Sequence, residues 1–301
     1  FLLAISGGVD SMTLMSIFEK MNIDYEVAHC HFGLRNDADD EFNLVESNCS
    51  KNNKTFHFDK FNTKKLASDK KISIQEAARL LRYDFFDLLC HKHAFNFIVT
   101  AHLSDDNLET ALYKLTKGTG IKGLRGINTF YKNIFRPLLP FTKEEIIHFA
   151  LENEVKWLED RSNKDNKYNR NLLRNKVIPE LQKINPAVNK GFYRTSQKIK
   201  SVEKIYNQHL SELRDNIIKV KRNVFFVLKA DLKKYHIDTF ILEDLLSEFN
   251  IASSDCEDLL DKIELFGQRY ISKDSLNTIW NEEHQITIKK NALSQPVYLE
   301  H

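Results

Sequence analysis

Strand-like and helix-like segments alternate along the first 125 or so residues, and this alternation restricts the fold more than any other feature. The apolar run at 1–5 precedes a helix-like segment at about 10–21, and a strand-like run at 25–32 precedes another at about 39–52. The run FNFIVTA at 95–101 is continuously apolar, as in strands covered on both faces. The alternation predicts a parallel, doubly wound sheet of the α/β class.

Two further helix starts are marked by capping boxes. Ser73 and Glu76 open the segment 73–94, whose apolar residues recur at helical spacing. Thr142 and Glu145 form the same pattern later in the chain. Both patterns predict a helix that begins just after the hydroxyl residue.

Polar clusters follow three of the predicted strands, at Ser6–Ser11, His29–Arg35 and His102–Asp106. In open parallel sheets, ligands bind beyond the carboxyl ends of the strands, near the switch in strand order. The clusters therefore predict one site at a single edge of the sheet.

The first cluster is the hexapeptide Ser6-Gly7-Gly8-Val9-Asp10-Ser11, which lies at a strand-to-helix junction. It has neither the lysine of the Gly-x-x-x-x-Gly-Lys loop nor the Gly-x-Gly-x-x-Gly spacing. The glycines let backbone N–H groups approach an anion, the hydroxyls add donors, and a helix N-terminus favours negative charge. Because Asp10 would repel a phosphate unless a cation lay between them, the loop predicts phosphate and Mg²⁺ at Asp10. The simpler alternative is a tight turn.

Positive charge is concentrated in the middle of the chain. The formal net charge is +2, yet residues 160–222 hold 16 Lys or Arg against 6 Asp or Glu. This distribution is typical of a surface for a polyanion such as a nucleic acid, and equally of a solvated helix face.

Cysteine usage and hydropathy exclude several classes of protein. The 4 cysteines include no Cys-x-x-Cys pair, which argues against a structural zinc or iron–sulfur site and favours a reducing compartment. His29 and His31 flank Cys30, but two such residues on a strand are more often ordinary polar or core residues than metal ligands. No apolar run is long enough to span a membrane, and no signal peptide is evident. The sequence predicts a cytoplasmic protein with no membrane partner.

The length of 301 residues predicts more than one domain. The expected division is a catalytic α/β domain at 1–140, a basic and mostly helical region at 141–222, and a small α+β domain at 223–298. Residues 299–301 (Leu-Glu-His) resemble a tag scar. The first residues already form a core strand, so we expect native residues before them.

The hexapeptide after an apolar strand resembles the PP-loop of the ATP pyrophosphatases, which cleave ATP between the α and β phosphates. Within that family, six further segments are similar to the bacterial tRNA(Ile)-lysidine synthetases. They are AHCHFGLR (28–35), SIQEAARLLRYDFF (73–86), TAHLSDDNLET (100–110), KGTGIKGLRGI (117–127), FRPLLPFTKEEI (135–146) and WLEDRSNKDNKYNRNLLRNKVIPEL (157–181).

The resemblance implies an adenine nucleotide alpha hydrolase-like fold and a two-step reaction. ATP adenylates the carbonyl oxygen at position two of the wobble cytidine in a tRNA(Ile) with a CAU anticodon. The amine of free L-lysine then displaces AMP. The implied cofactors are ATP and Mg²⁺, the implied partners are this tRNA and lysine, and a homodimer is left open.

Site residues follow from the matched segments. Residues 6–11 would bind ATP, and Asp106 and Glu109, which share a helix face, would hold the lysine ammonium or accept a proton. Arg79 and Arg82 would pair with the α-phosphate or the AMP leaving group. The expected tRNA contacts are Lys117, Lys122, Arg125, Arg170 and Arg174. For Arg170 and Arg174, contact with ATP is the alternative.

Three other functions compete with this interpretation. A related PP-loop enzyme could thiolate tRNA, although such enzymes generally need paired cysteines. A small-molecule synthetase of the same superfamily is disfavoured by the basic region at 160–222. A non-catalytic RNA-binding protein would need neither the intact loop nor the Asp106–Glu109 pair.

Overall fold

The computed structural model describes residues 1–34, 38–159 and 169–291. The chain forms two compact units, residues 1–200 and 201–301. The described residues at 141–159 and 169–200 therefore belong to the same unit as the parallel sheet. The division into three domains at 140 and 222 stays a prediction. The suggested tag scar at 299–301 and Arg35 of the second polar cluster lie outside the described residues.

A six-stranded sheet organises the described part of the first unit. Its strands are β1 (Leu2–Ala4), β2 (Glu26–His31), β3 (Phe56–Lys60), β4 (Ile98–Val99), β5 (Phe130–Tyr131) and β6 (Ile134–Phe135). The order is β3-β2-β1-β4-β6-β5, and every neighbouring pair is parallel except β5 with β6. The strand order reverses between β1 and β4. The predicted parallel sheet is confirmed, and the antiparallel edge hairpin is an addition to it.

Helices lie on both faces of this sheet. In chain order, the described helices before residue 218 are α1 (Val9–Lys20), α2 (Ala38–Lys51), α3 (Thr63–Lys70), α4 (Ile74–His93), α5 (Ser104–Leu115), α6 (Ile121–Leu124), α7 (Lys143–Glu152), α8 (Asn169–Leu172), α9 (Ile178–Ile184) and α10 (Val188–Ile217), the last of which continues from the first unit into the second. A π-helical turn, Leu173–Val177, joins α8 to α9. The capping boxes predicted at the starts of α4 and α7 both form.

The sheet separates two apolar clusters because successive residues of a strand point to opposite faces. Leu3 of β1 belongs to the cluster that includes α1 and α7, while its neighbour Leu2 belongs to the cluster that includes Phe85 and Phe86 of α4. All four side chains are buried. Burial on both faces is the reason that these strands are continuously apolar.

The second unit contains a separate antiparallel sheet. Its strands are β7 (Ile218–Lys221), β8 (Val224–Leu228), β9 (Arg269–Ile271), β10 (Asn277–Asn281) and β11 (Gln285–Lys290), in the order β7-β8-β11-β10-β9. Its helices are α11 (Lys229–Lys234), α12 (Thr239–Leu245) and α13 (Ser253–Asp261). The small α+β unit expected near the end of the chain is confirmed.

The region at 141–222, which was predicted to be mostly helical, ends in a strand. Helix α10 ends at Ile217, and β7 begins at Ile218. Arg222 and Asn223 both have positive φ, which is the backbone of a two-residue hairpin turn. Pairing of β7 with β8 across this turn gives the β-branched residues at 218 and 220 a sheet partner, and that pairing overrides the local helical pattern.

Among the described residues, no helix is both long enough and apolar enough to cross a membrane.

Candidate active site

The loop after β1 is closed by its own hydroxyl groups. Ser11 Oγ donates to Gly8 O at 3.0 Å, and the Oγ atoms of Ser6 and Ser11 lie 3.1 Å apart. Gly7 has a φ of +93°, a conformation that L side chains rarely adopt. Because α1 begins at Val9, the first N–H groups of that helix, which have no intrahelical partners, belong to the loop. The predicted anion-binding features therefore stand together at this edge of the sheet.

Asp10, in the first turn of α1, is paired with a lysine that sequence analysis did not select. Lys143 Nζ donates to Asp10 Oδ1 at 2.6 Å. Burial raises the pKa of the Asp10 carboxyl, and the charge of Lys143 opposes this rise. The loop that has no lysine in its own sequence thus receives one from the first residue of α7.

Asp106 and Glu109 lie on one face of α5 and share a single arginine. Arg174 Nη2 donates to Asp106 Oδ1 at 3.0 Å, and Arg174 Nε donates to Glu109 Oε1. The other oxygen of Asp106 accepts from Leu103 N at 2.8 Å and so caps the helix. The predicted shared face is present, and Arg174, one of the expected tRNA contacts, joins the two carboxylates.

Glu109 is the most deeply placed carboxylate of this group, with 4% of its surface exposed. Burial raises the pKa of the Glu109 carboxyl, and the hydrogen bond and charge of Arg174 oppose the rise. Asp106 and Arg174 also act on the Asp10 carboxyl, the first raising and the second lowering its pKa. The loop after β1 and the carboxylates of α5 therefore form one electrostatic cluster.

Asp105 joins elements of the first unit to one another. Its Oδ2 accepts from Lys143 N at 2.9 Å, and its Oδ1 accepts from Asn189 Nδ2 of α10 at 2.6 Å. These contacts indicate a positioning role for Asp105. It holds the N-terminus of α7, and with it Lys143, beside the loop.

Arg79 and Arg82 lie exposed on α4, where each contacts an aromatic ring. The Arg79 guanidinium carbon is 4.8 Å from the centroid of Tyr83, and that of Arg82 is 5.2 Å from the centroid of Phe32. Both charges help to lower the pKa of His102, which follows β4. The two arginines therefore lie near the polar cluster that follows β4.

Arg136, directly after β6, is a second residue that sequence analysis passed over. It is 7% exposed, and its Nη1 donates to Asn128 O at 2.8 Å. Its Nε has no hydrogen-bond partner among the described residues. A buried guanidinium that has an unused N–H donor at the carboxyl end of a strand can bind an anion. The only sequence signal was a charge inside the apolar run IFRPLLP.

His102 makes the stability of the fold dependent on pH. Burial lowers the pKa of its imidazole to about 4, while unfolded histidine titrates near ~6.5. As the pH falls from about 6.5 towards 4, the unfolded chain takes up a proton that the folded chain does not, so the free energy of unfolding decreases by about 1–3 kcal/mol. Urea unfolding at pH 7 and pH 5 measures this decrease. A His102→Gln variant should lose less, and equal losses in the two proteins would contradict the assignment.

The glycine-rich segment at 117–127 contains three of the other predicted cations. Lys117 Nζ lies 5.7 Å from the ring centroid of Tyr113, Lys122 lies on α6, and Arg125 is the C-cap of that helix. Arg170 Nη2 lies 3.5 Å from Thr110 Oγ1. Arg170 therefore lies along α5, as Arg174 does.

Gly126 is a position where only glycine fits. Its φ is +70°, and an added Cβ would lie 2.1 Å from Asn107 Oδ1, which accepts from Ile127 N. Gly126→Ala is expected to lower the free energy of unfolding by about 2–4 kcal/mol, because strain and a clash add together. Gly118→Ala is the matched control, since its φ is +71° and nothing lies within 4 Å of its added Cβ. Equal losses in urea unfolding would show that the contact with Asn107 is unimportant.

The first unit is an α/β domain in which a loop of glycines and hydroxyls and a cluster of carboxylates lie where the strand order reverses. In α/β proteins this is the position at which nucleotides typically bind. The family model of the ATP-binding PP-loop domain matches residues 1–181. This chain belongs to the PP-loop family.

Three curated relatives that the chain resembles carry the name tRNA(Ile)-lysidine synthase. The relative from Chlorobaculum tepidum is 42% identical over 222 residues, which cover 70% of this chain and 66% of that protein. The relative from Bacteroides thetaiotaomicron is 37% identical, over 72% of this chain and 51% of the relative. One from Porphyromonas gingivalis is 30% identical, over 87% and 58% respectively. The chain thus spans about half to two thirds of the length of these relatives.

Among solved structures, the chain is similar to the U34-tRNA thiolase NcsA from Methanococcus maripaludis with its [4Fe-4S] cluster. The TM-score is 0.54 at 15% identity, over 66% of this chain and 71% of the thiolase. At that identity the similarity concerns the fold alone.

Proposed function

We propose that this chain is an ATP-dependent ligase that joins L-lysine to the wobble cytidine of a tRNA(Ile) with a CAU anticodon. The reaction would release pyrophosphate and then AMP. The family match and the shared name of the relatives support this proposal. The observation that carries it is the cation held between Asp106 and Glu109, in the same electrostatic cluster as the loop after β1.

In the first step, the carbonyl oxygen of cytidine attacks the α-phosphorus of ATP, and the bond from that phosphorus to the β-phosphate oxygen breaks. The loop at 6–11 binds the phosphates through its N–H groups, its hydroxyls and the start of α1. Lys143 adds positive charge beside Asp10. Arg79, Arg82 and the buried Arg136 are suited to the α-phosphate, since guanidinium groups form paired hydrogen bonds with phosphate oxygens.

The donor set of the cluster fits Mg²⁺. Asp10 and Asp106 are close enough for the charge of one to raise the pKa of the other, and Mg²⁺ is commonly bound by one or two carboxylates together with substrate phosphates. A bound ion would neutralise charge on the departing pyrophosphate. Asp10 and Asp106 are the residues that would hold it, and Lys143 would keep the Asp10 carboxylate in position.

In the second step, the lysine amine attacks C2 of the adenylated cytidine, the C2–O bond breaks, and AMP leaves with the bonding electrons. The amine must lose a proton, and a carboxylate of α5 can accept it. Glu109 is suited to this role because its burial raises the pKa of its carboxyl and so makes it a better base. Lys117, Lys122, Arg125 and Arg170 are proposed to contact tRNA phosphates.

A thiolation reaction is less well supported. Burial raises the pKa of Cys30 to about 12 and that of Cys49 to about 11, so both thiols stay protonated near neutral pH. A thiolate is the form that attacks electrophiles and binds metals.

The test is an assay for AMP with ATP, Mg²⁺, L-lysine and the CAU-anticodon tRNA, leaving out one component at a time. We expect AMP only when all four are present. Mass spectrometry of the digested tRNA should show a cytidine that has gained one lysine and lost one water. AMP formed on a small-molecule acceptor without tRNA would replace this proposal with a synthetase. Sulfur in the product would identify a thiolase.

A further inference from the structure

A histidine–carboxylate cluster lies at the amino ends of the strands, apart from the site described above. Glu26 is the first residue of β2, His57 lies on β3, and His93 is the last residue of α4. Each offers one ligand atom, and these three atoms lie within 4.8 Å of one another. The loop at 6–11, by contrast, follows the carboxyl end of β1.

The register of the sheet explains why these side chains meet. On β3, Phe58 packs against Phe42 of α2, with ring centroids 4.5 Å apart. The preceding residue, His57, points to the opposite face, where its ring lies 4.7 Å from that of His93. His57 Nε2 also lies 2.5 Å from Glu26 Oε2, across the pairing of β2 with β3.

Aromatic packing restricts both imidazole rings. Phe95 stacks on His93 with ring centroids 5.7 Å apart, and it meets His57 edge-on at 6.2 Å. Rings held by packing lose less freedom when they bind a ligand. The cluster is therefore partly organised before any ion arrives.

We propose that Glu26, His57 and His93 bind a divalent transition-metal ion, for which Zn²⁺ is the probe. Two imidazoles and one carboxylate form a ligand set that suits zinc and its neighbours in the first transition row. Three protein ligands leave a fourth tetrahedral position for water. The side chains of His57 and Glu26 are 13% and 32% exposed, so an ion can reach them from solvent.

Ion binding requires only small movements of these side chains. Zinc lies ~2.0–2.2 Å from nitrogen and oxygen ligands, so two ligands of one tetrahedral ion are about 3.4 Å apart. The His57 and Glu26 atoms would separate by about 1 Å from their present 2.5 Å, and the ion would take the place of the proton that they share. The ligand nitrogen of His93 would move towards the ion by about 1 Å.

The experiment is a Zn²⁺ titration of the full chain, with competition from a chelator of known affinity. His301 is replaced by alanine in every protein, because a histidine at the end of the chain could itself bind Zn²⁺. Excess Mg²⁺ is added to fill sites whose ligands are all oxygen atoms. We expect one equivalent of Zn²⁺ to bind, with a Tm that rises with Zn²⁺ concentration. Co²⁺ in place of Zn²⁺ should give the visible absorption bands of a tetrahedral site.

Two variants test the assignment of the ligands. His93→Asn and Glu26→Gln should each weaken Zn²⁺ binding by at least about 10-fold, since even the loss of a residue behind a metal ligand costs about 10–100-fold. His91→Asn is the matched control, because His91 is also exposed in the last turn of α4 and is absent from the cluster. Absence of saturable binding, or equal affinity in His93→Asn and His91→Asn, would overturn the proposal and leave a hydrogen-bonded His57–Glu26 pair.

Discussion

Glu109→Gln is expected to lower the rate of lysine transfer by about 10²–10⁴-fold while leaving adenylation intact. Glutamine has nearly the same shape as glutamate, so the packing of α5 should survive. It cannot take a proton from the attacking amine, and it brings no negative charge to hold an ammonium group. The two steps are separated by measuring pyrophosphate release in a single turnover without lysine, and AMP release after lysine is added.

Glu46→Gln is the control for this variant, because Glu46 is exposed on α2. It removes the same charge and should leave both rates unchanged. Near-normal AMP release by Glu109→Gln would remove Glu109 from the proposed catalytic residues. A loss of pyrophosphate release as well would indicate that Glu109 serves ATP binding instead.

Arg174→Ala is expected to move the acid limb of the pH–rate profile to higher pH by about 1 unit or more. The hydrogen bond and charge of Arg174 hold down the pKa of the Glu109 carboxyl, against the effect of burial. Without Arg174 that pKa rises, so the carboxylate that accepts the proton persists only at higher pH. The rate of lysine transfer should therefore fall at the acid end of the profile, and this loss should be recovered as the pH is raised.

Two further proteins make this prediction decisive. Lys176→Ala removes a positive charge from an exposed residue of the same π-helical turn, and its profile should coincide with that of the unaltered chain. Arg174→Lys keeps the charge, so its pH–rate profile should lie close to that of the unaltered chain. This comparison holds even if Arg174→Ala is less stable. An Arg174→Ala profile superimposable on the unaltered one would show that Arg174 does not tune Glu109.

Much of the candidate site could be predicted because its parts are local in sequence. Ser6–Ser11 follows an apolar run and opens a helix, so two glycines and two hydroxyls at that junction already indicate an anion site. Asp106 and Glu109 are three residues apart, and helical spacing alone puts them on one face. These predictions depend on covalent connection and on the geometry of a single element.

The residues that were missed are joined only by packing. Lys143 lies between the capping residues Thr142 and Glu145, and nothing in that pattern relates it to Asp10, from which 133 positions separate it. Arg136 stood in an apolar run, and Glu26, His57 and His93 had no shared motif. Their proximity depends on strand order and helix packing, which local periodicity does not specify.

Arg174 shows most clearly the difference between what local sequence predicts and what depends on packing. Its charge, its position in a basic and helical region, and the acidic pair of Asp106 and Glu109 on another helix could all be predicted from local sequence. The contact between Arg174 and Glu109, which are 65 positions apart, depends on how the chain packs. The physical reason is that burial of Glu109 requires a partner for its charge, and the fold determines which cation lies close enough to provide it.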